Sequence, residues 1–439
     1  MQILLLQPTI KQYSNYLDIL TSRFLPDPQI TLQQLATITP EKHTVKLLDE
    51  AYQKINFDEK YDLIGVTCCT SSAPRAYEIA DEFKRKGNTV VLGGYHPSAL
   101  PQEAKQHADS VVIGEAENLW STLLNDLENN QLRPFYHSRE PADLNNLPPL
   151  KRGIGEFYSP IARIEATRGC PYKCDYCSIS NSNIGWNIFR KKPIENVIKE
   201  IQSIPQKNLI FCDTSFTVDV EYTKSLFKEM KSYDKKFMCY GNTHVLNKDD
   251  NLLELAREAG CYLWNIGFES VSQEALDSVG KNTNRVDEYF SVVKKIKDHG
   301  MGIIGQFMFG FDTETVDIFD ETIEVVNALD LDIPSFNILT PFPGTPIFER
   351  LHKEGRILTK DWSKYTLFNV VYQPKKMSPQ ELWDGFKKII TTFYSGSNLF
   401  KRSIRSFHLD FYHSIGVIYQ NFFDRAAYKK LLKTELINF

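Results

Sequence analysis

The chain has 439 residues, of which 42% are hydrophobic and 24% charged, a balance typical of globular proteins with enough apolar residues for two or three packed domains. Its net charge of −4 gives no general attraction for nucleic acid or an anionic membrane, and no nucleic-acid partner is expected. No apolar run is long enough to span a bilayer, and the first residues lack the basic region of a secretory signal, so a cytoplasmic protein is expected.

Residues 1–135 alternate short apolar runs with amphipathic segments, the pattern of a doubly wound α/β domain with a parallel sheet. A helix is predicted over 73–85, where Ala76, Ile79, Ala80 and Phe83 share one face. Glycines follow two of the strands, at the sheet edge where such folds bind ligands, and tight turns explain them equally well. The predicted strands are 3–6, 44–48, 63–68, 89–92 and 110–113.

Prolines and asparagines in residues 136–158 predict a linker. Residues 159–350 then contain six β/α units of similar size, which predict a partial or complete parallel barrel with its site at the carboxyl ends of the strands. Residues 351–439 are predicted to form a mostly helical extension rich in Lys, Arg, Phe and Tyr. That extension is interpreted either as a packed element with a solvated basic face or as a binding surface for lipid or an acidic partner.

Three of the eight cysteines follow the first barrel strand with the spacing Cys170-x3-Cys174-x2-Cys177. Three thiolates on one short loop would hold three irons of a [4Fe–4S] cube and leave the fourth iron open to a small ligand. A structural zinc or an electron-transfer cluster normally takes four protein ligands, and no fourth cysteine follows nearby. Cys212, Cys239 and Cys261 are interpreted as core residues, and the adjacent pair Cys68-Cys69 cannot by itself hold a second cluster.

This motif, its place after the first strand and the aromatic Tyr176 before the last cysteine resemble the radical S-adenosylmethionine superfamily. The resemblance implies that the open iron binds S-adenosylmethionine and that an electron from the cluster cleaves it to a 5′-deoxyadenosyl radical. It also implies a one-electron reductant such as flavodoxin or ferredoxin as a partner.

The resemblance further assigns residues to S-adenosylmethionine. Asp213 stands where the family recognises the ligand's amino group, and Glu269-Ser270 where it holds the ribose or carboxylate; local patterns alone would suggest helix starts. The strand at 302–308 lies where the adenine would stack. The residues assigned to this ligand are Tyr176, Asp213, Phe216, Glu269, Ser270, Gly305 and Gln306.

The front domain resembles the cobalamin-binding domain that precedes the barrel in one large subgroup of this superfamily. The segments that carry this resemblance are 63–67, 91–97 and 111–117, and no Asp-x-His-x-x-Gly loop with a cobalt-ligating histidine accompanies them. His96, before a proline, is more consistent with a structural role. The cobalamin contacts implied are Thr67, Gly93, Gly94, Tyr95, Gly114 and Glu115.

The leading hypothesis is therefore a radical enzyme that transfers a methyl group from cobalamin to an unactivated carbon of a small-molecule, natural-product or lipid-like substrate. One alternative is a mutase, cyclase, dehydratase or epimerase whose front domain does not use cobalamin. Another is a non-catalytic cobalamin or metal sensor. Four side chains near strand ends would line a substrate pocket: Tyr240, Asn242, His244 and Phe342. Packing in the core explains each of them equally well.

Overall fold

The computed structural model describes residues 1–10, 30–152, 160–181, 187–214 and 216–433. A six-stranded parallel sheet occupies the front of the chain, in the order β2-β1-β3-β4-β5-β6. Five strands match the predicted ones, which confirms the doubly wound fold. The strands are β1 (Gln2–Gln7), β2 (Thr44–Asp49), β3 (Leu63–Thr67), β4 (Val90–Gly93), β5 (Ser110–Ile113) and β6 (Phe135–His137).

Helices cover both faces of this sheet, because alternate side chains of its strands are apolar on both sides. Leu4 and Leu6 point into one buried cluster, whereas Ile3 and Leu5 point into the other. The predicted helix over 73–85 is confirmed and buries Ala76, Ile79, Ala80 and Phe83. The helices are α1 (Ile30–Ile38), α2 (Ala73–Arg85), α3 (Tyr95–Ala99), α4 (Pro101–Lys105) and α5 (Trp120–Glu128).

Strand β6 lies where the sequence predicts a linker. Its three residues are too short to show a period, but they pair in parallel with the free edge of β5. The segment after it also packs back onto the front sheet, since the Lys151 amide donates to Thr37 Oγ1 at 2.9 Å. The first sheet therefore extends into the segment from 136 onward.

A second parallel sheet has the order β14-β13-β12-β11-β10-β7 and is open between β7 and β14, which makes it a partial barrel, as predicted. Two short strands, β8 (Thr167–Arg168) and β9 (Arg190–Lys191), pair antiparallel beside the cysteine loop. The barrel strands are β7 (Ile161–Ile164), β10 (Asn208–Phe211), β11 (Lys236–Tyr240), β12 (Cys261–Glu269), β13 (Gly302–Phe309) and β14 (Ile333–Ile338).

Amphipathic helices surround this sheet and bury their apolar stripes against its outer face. The helix before β12 is followed by Gly260, whose φ of 103° is left-handed, as is common for the residue that terminates a helix. The helices are α6 (Ile194–Ser203), α7 (Val220–Met230), α8 (Thr243–Lys248), α9 (Asp250–Ala259), α10 (Gln273–Ser278), α11 (Tyr289–Asp298), α12 (Ile318–Leu329) and α13 (Pro346–Lys353).

Three more helices form the predicted helical extension: α14 (Pro379–Phe393), α15 (Gly396–Arg405) and α16 (Phe411–Leu431). Leu409 and Val417 pack with Leu263 and Ile333, which lie near the amino ends of their barrel strands. The His413 ring stacks on Tyr262 with centroids 4.0 Å apart. The extension thus closes the end of the barrel opposite the cysteine loop.

Candidate functional site

The cysteine loop lies between β8 and β9, at the carboxyl end of β7, where the sequence predicts the site. Cys174 is buried, whereas Cys170 and Cys177 are half-buried. Side-chain donors hold the loop from inside: Asn181 Nδ2 donates to the carbonyl oxygens of Cys174 and Cys177, and Ser180 Oγ to that of Cys174 at 3.3 Å. The loop is therefore a preorganised turn.

A neighbouring turn clamps the loop from outside. The Asp175 amide donates to the carbonyl oxygen of Val279 at 2.9 Å. Gly280 has a φ of 70°, and a Cβ there would lie 2.8 Å from the Lys173 oxygen, so only glycine permits this approach. The cysteines thus have a fixed backbone before any ligand binds.

The donor set, three thiols on one short loop, has the chemistry of a [4Fe–4S] site with one open iron. In the part of the chain that the structure describes, no three His, Cys, Asp or Glu side chains are close enough together to hold one metal ion. Burial raises the pKa of Cys174 to about 11, although Lys281 opposes that rise, so ligation must displace a proton.

Glu269 ends β12 with a φ of 67°, an unusual backbone conformation for a residue other than glycine. Its carboxylate pairs with Lys281 Nζ at 3.1 Å. A Cβ at Gly267 would lie 2.5 Å from Glu269 Oε1, so the glycine makes room for the carboxylate. The charge of Glu269 acts on both Cys174 and Tyr176, which places it beside the cysteine loop. Strained residues of this kind cluster at ligand sites.

Asp213 does not face open space. Its fully enclosed carboxylate accepts from the amides of Ala166 and Thr167 and from Thr167 Oγ1 at 2.6 Å. Burial raises its pKa to about 7, although the Thr167 donors lower it. These contacts make Asp213 a positioning residue for the segment before the cysteines, and they do not support the prediction that it binds the amino group of the ligand.

Two other predicted contacts are packing residues. Phe216, in the loop after β10, is enclosed in an aromatic cluster with Phe211 and Phe227. Gly305 also faces the helix layer, where a Cβ would collide with Leu331 and crowd Phe268. Neither side-chain position therefore points to the inside of the barrel.

Ser270 and Gln306 are engaged by protein partners. Ser270 Oγ donates to Glu314 Oε1 at 2.8 Å, and the other oxygen of Glu314 accepts from the amides of Gly310 and Phe311. Gln306 Nε2 donates to Asn265 Oδ1 at 2.8 Å. By alternation along β13, Gln306 lies on the inner face of the barrel, so this amide pair lines its interior.

A cavity of about 420 Å³ separates the carboxyl edge of the front sheet from the start of the cysteine loop. All six predicted cobalamin contacts line it, together with Gln7 and, from the barrel, Arg163, Glu165, Arg168, Gly169 and Cys212. Gly94 is required at this edge: its φ is 102°, and a Cβ would lie 2.7 Å from the Cys68 oxygen. The Tyr95 side chain lines the same cavity and is 44% exposed.

Glu115 links the front domain to the short strands β8 and β9 beside the cysteine loop. Its carboxylate accepts two hydrogen bonds from Arg190, at 2.7 and 2.8 Å, and one from the Ala142 amide. Arg168 lies 3.5 Å away and pairs also with Glu117 and Glu165. This cluster of opposite charges fixes the front domain over the cysteine loop.

His96 is fully enclosed, as a structural histidine should be. One ring nitrogen lies 3.3 Å from Thr70 Oγ1 and the other 3.1 Å from Glu103 Oε1. Both nitrogens are therefore engaged, and the ring is not free to ligate cobalt.

Sequence reasoning missed Lys281, Glu314 and Gln7. Lys281, in the loop after α10, lies beside Glu269, and Glu314, in the loop after β13, lies beside Ser270. Neither residue belongs to a sequence motif, so only the fold shows that they reach the site. Gln7 could have been predicted to face a ligand, because it is the last residue of β1, at the carboxyl edge of the sheet. Its Oε1 is buried beside the cavity and has no hydrogen-bond partner among the residues that the structure describes.

Comparison with known proteins gives matches across most of the chain. Residues 34–124 match the B12 binding domain, residues 164–326 the Radical SAM superfamily and residues 345–416 a domain of unknown function, DUF4070. Two methyltransferases of Chlorobaculum tepidum are similar over most of their length. The bacteriochlorophyllide d C-8(2)-methyltransferase is 32% identical, with 80% of this chain and 82% of that protein covered. The C-12(1)-methyltransferase is 31% identical, with coverage of 85% and 84%.

Two solved structures share the fold. The radical S-adenosylmethionine methyltransferase TsrM from Kitasatospora setae, with cobalamin and a [4Fe–4S] cluster bound, has a TM-score of 0.67 at 18% identity, covering 88% of this chain and 85% of that one. The cobalamin-dependent S-adenosylmethionine radical enzyme OxsB has a TM-score of 0.68 at 14% identity, with coverage of 95% and 70%. The chain therefore belongs to the radical S-adenosylmethionine superfamily, in the group whose barrel follows a cobalamin-binding domain.

Proposed function

We propose that this enzyme methylates an unactivated carbon of a tetrapyrrole, the substrate class named for its two methyltransferase relatives from Chlorobaculum tepidum. The observation that carries the proposal is the cavity between the two sheets, because it opens both to the carboxyl edge of the cobalamin-binding domain and to the segment that leads into the cysteines. A methyl donor held there faces the barrel in which a substrate carbon would be activated.

In this proposal Cys170, Cys174 and Cys177 hold the cluster, and Tyr176 and Glu269 lie beside S-adenosylmethionine. Thr67, Gly93, Gly94, Tyr95 and Gly114 form the cobalamin side of the cavity. When bound, the cluster supplies the electron that cleaves S-adenosylmethionine, and cobalamin supplies the methyl group.

The remaining work of the protein is orientation and exclusion of water. The clamped cysteine loop and the Arg190–Glu115 bridge keep the two ligand positions at a fixed separation. The helical extension closes the far end of the barrel, which leaves substrate entry to the side nearer the cavity. Inward-facing Asn265 and Gln306 offer amide groups to polar edges of a substrate ring. A flavodoxin- or ferredoxin-like reductant in the cytoplasm would deliver the electron.

The test is an anaerobic, reconstituted preparation supplied with reductant, cobalamin, S-adenosylmethionine and bacteriochlorophyllide d. Methyl transfer predicts a methylated product, with 5′-deoxyadenosine and S-adenosylhomocysteine in equal amounts. Formation of 5′-deoxyadenosine and a rearranged or cyclised product without S-adenosylhomocysteine would instead support the alternative that does not use cobalamin.

A matched pair of variants separates the loop from the other thiols. Cys174→Ala should abolish both adenosyl products and the cluster's absorbance. Cys239→Ala removes a buried thiol from the barrel core, and this variant should retain the adenosyl products and the absorbance of the cluster. Equal activity of the two variants would contradict the proposed role of the loop.

A further inference from the structure

The helical extension exposes an unusual amount of apolar surface. Soluble monomers rarely expose large contiguous apolar patches, and those that occur mark interaction sites. Eight large apolar side chains between residues 400 and 422 are each 47–72% exposed. They are Phe400, Ile404, Phe407, Phe411, Tyr412, Ile415, Tyr419 and Phe422.

Helix α16 carries apolar residues on two opposite sides. The side that includes His413, Val417 and Asn421 is buried against the barrel, where Asn421 Nδ2 donates to the Asp332 oxygen at 2.9 Å. Farther along, Tyr428 OH donates to the Phe336 oxygen at 3.2 Å. These contacts fix the rotation of the helix about its axis.

The opposite side bears Phe411, Ile415, Tyr419 and Phe422, which recur at intervals of four and three residues and so form one stripe. Because the buried side is anchored along much of the helix, this stripe cannot turn inward. Its exposure is a property of the folded chain.

Basic residues extend this stripe. Lys429 continues the same helical face, seven residues beyond Phe422, and Lys433 is exposed in the turn directly after the helix. On α15, Lys401 stands next to Phe400 in sequence, whereas Arg405, next to Ile404, pairs with Asp330 at 2.6 Å. Residues 396–433 contain seven Lys or Arg and two Asp, a net charge of +5 in a chain whose total is −4.

The two helices form one antiparallel hairpin. Arg402 Nε donates to Asn421 Oδ1 at 3.1 Å, and Ser414 Oγ donates to the Ser406 oxygen at 2.8 Å. We call the exposed apolar residues of 400–422, with Lys401, Lys429 and Lys433, the hairpin face.

We infer that the hairpin face docks on the surface of an anionic lipid bilayer. Phe and Tyr side chains on one helix face, beside lysines, are the composition of helices that lie in the membrane interface. The aromatic rings would enter the boundary of the acyl chains while the lysines meet lipid phosphates. Within the described ranges no helix combines the length and apolarity needed to cross a bilayer, so the hairpin lies on the membrane.

Charge favours a bilayer over a second copy of the chain. A symmetric dimer through the hairpin face would bring the same basic surface against itself, because a twofold contact repeats one patch on both subunits. An anionic bilayer instead neutralises it. This inference does not depend on the reaction that the enzyme catalyses.

The test is co-flotation of the reconstituted holoenzyme with vesicles of phosphatidylcholine alone or in an equimolar mixture with phosphatidylglycerol. We expect the protein to float mainly with the anionic vesicles. The triple variant Phe411→Ser, Ile415→Ser, Phe422→Ser should lose at least about tenfold in partition, since each exchange removes several buried carbons from the interface. Lys429→Glu with Lys433→Glu should lose more than about twentyfold, because each cation near the surface contributes about fivefold.

The matched control is Phe290→Ser with Val316→Ser, which removes exposed apolar side chains outside the hairpin. It should float like the unaltered protein, and circular dichroism checks that every variant is folded. Light scattering after gel filtration, without lipid, adds a second readout. The inference is overturned if the unaltered protein floats with neither vesicle, if the triple variant and the control float equally, or if the unaltered protein is a dimer that the triple variant makes monomeric.

Discussion

Asp213 gives the sharpest test of how the cysteine loop is positioned. Its carboxylate accepts from three buried donors: the amides of Ala166 and Thr167, and Thr167 Oγ1. Replacement by Ala leaves all three without a partner. At about 1–3 kcal/mol for each unsatisfied buried group, and with some recovered by relaxation, we expect a loss of about 3–6 kcal/mol.

Asp213→Asn should be far milder. Burial raises the pKa of Asp213 to about 7, so the protonated acid, which an asparagine resembles in shape, is already well populated near neutrality. The amide oxygen can take the place of Oδ1, which receives all three donors. We expect a loss below about 1.5 kcal/mol and an iron content close to that of the unaltered protein.

The assay combines thermal unfolding, iron content after reconstitution, and equilibrium dialysis with S-adenosylmethionine under anaerobic conditions. Asp219→Asn is the matched control, since Asp219 caps the following helix, asparagine caps equally well, and the ion pair with Lys191 that the exchange removes is solvent-exposed. The positioning role would be refuted if Asp213→Asn kept its stability and iron but bound S-adenosylmethionine about a hundredfold more weakly. A loss of that size is close to the effect of removing a charge-assisted hydrogen bond, so Asp213 would then contact the ligand.

Three further predictions concern other parts of the site. Arg190→Gln removes the ion pair with Glu115, while Arg168 stays 3.5 Å from that carboxylate, so the free energy of unfolding should fall by about 1–3 kcal/mol, seen as a lower urea midpoint. An unchanged midpoint would show that the bridge is not stabilising. Gly94→Ala should reduce corrinoid retained after gel filtration, through strain of about 1–3 kcal/mol, whereas Gly416→Ala, whose Cβ would meet no atom within 4 Å, should not; equal retention would contradict this. Burial raises the pKa of Glu314 from 4.5 to about 7, so between these pH values the folded state keeps a proton that the unfolded state releases. The contribution of Glu314 to the stability of the fold therefore falls as the pH rises from about 4.5 to 7. We therefore compare the free energy of unfolding of the unaltered protein with that of Glu314→Gln. The difference should favour the unaltered protein more at about pH 5.5 than at pH 8, and the same difference at the two pH values would exclude this titration.

Local patterns in the sequence were sufficient for the architecture. Strand and helix periodicities predicted five strands of the front sheet and all six of the barrel. The cysteine spacing identified the family, because three ligands of one cluster must lie on one short loop. Each of these features depends on residues that are close in sequence.

Long-range contacts decided the rest. Strand β6 exists because β5 offers a free edge, and Asp213 became a positioning residue because the segment before the cysteines passes beside it. The sequence of α16 has apolar residues all round, and only the barrel determines that the stripe with Val417 is buried while the stripe with Ile415 is exposed. Periodicity in the sequence shows which residues share a face of a helix or strand. Whether that face is buried depends on which other elements pack against it. The residues that determine this packing are spread over the whole chain.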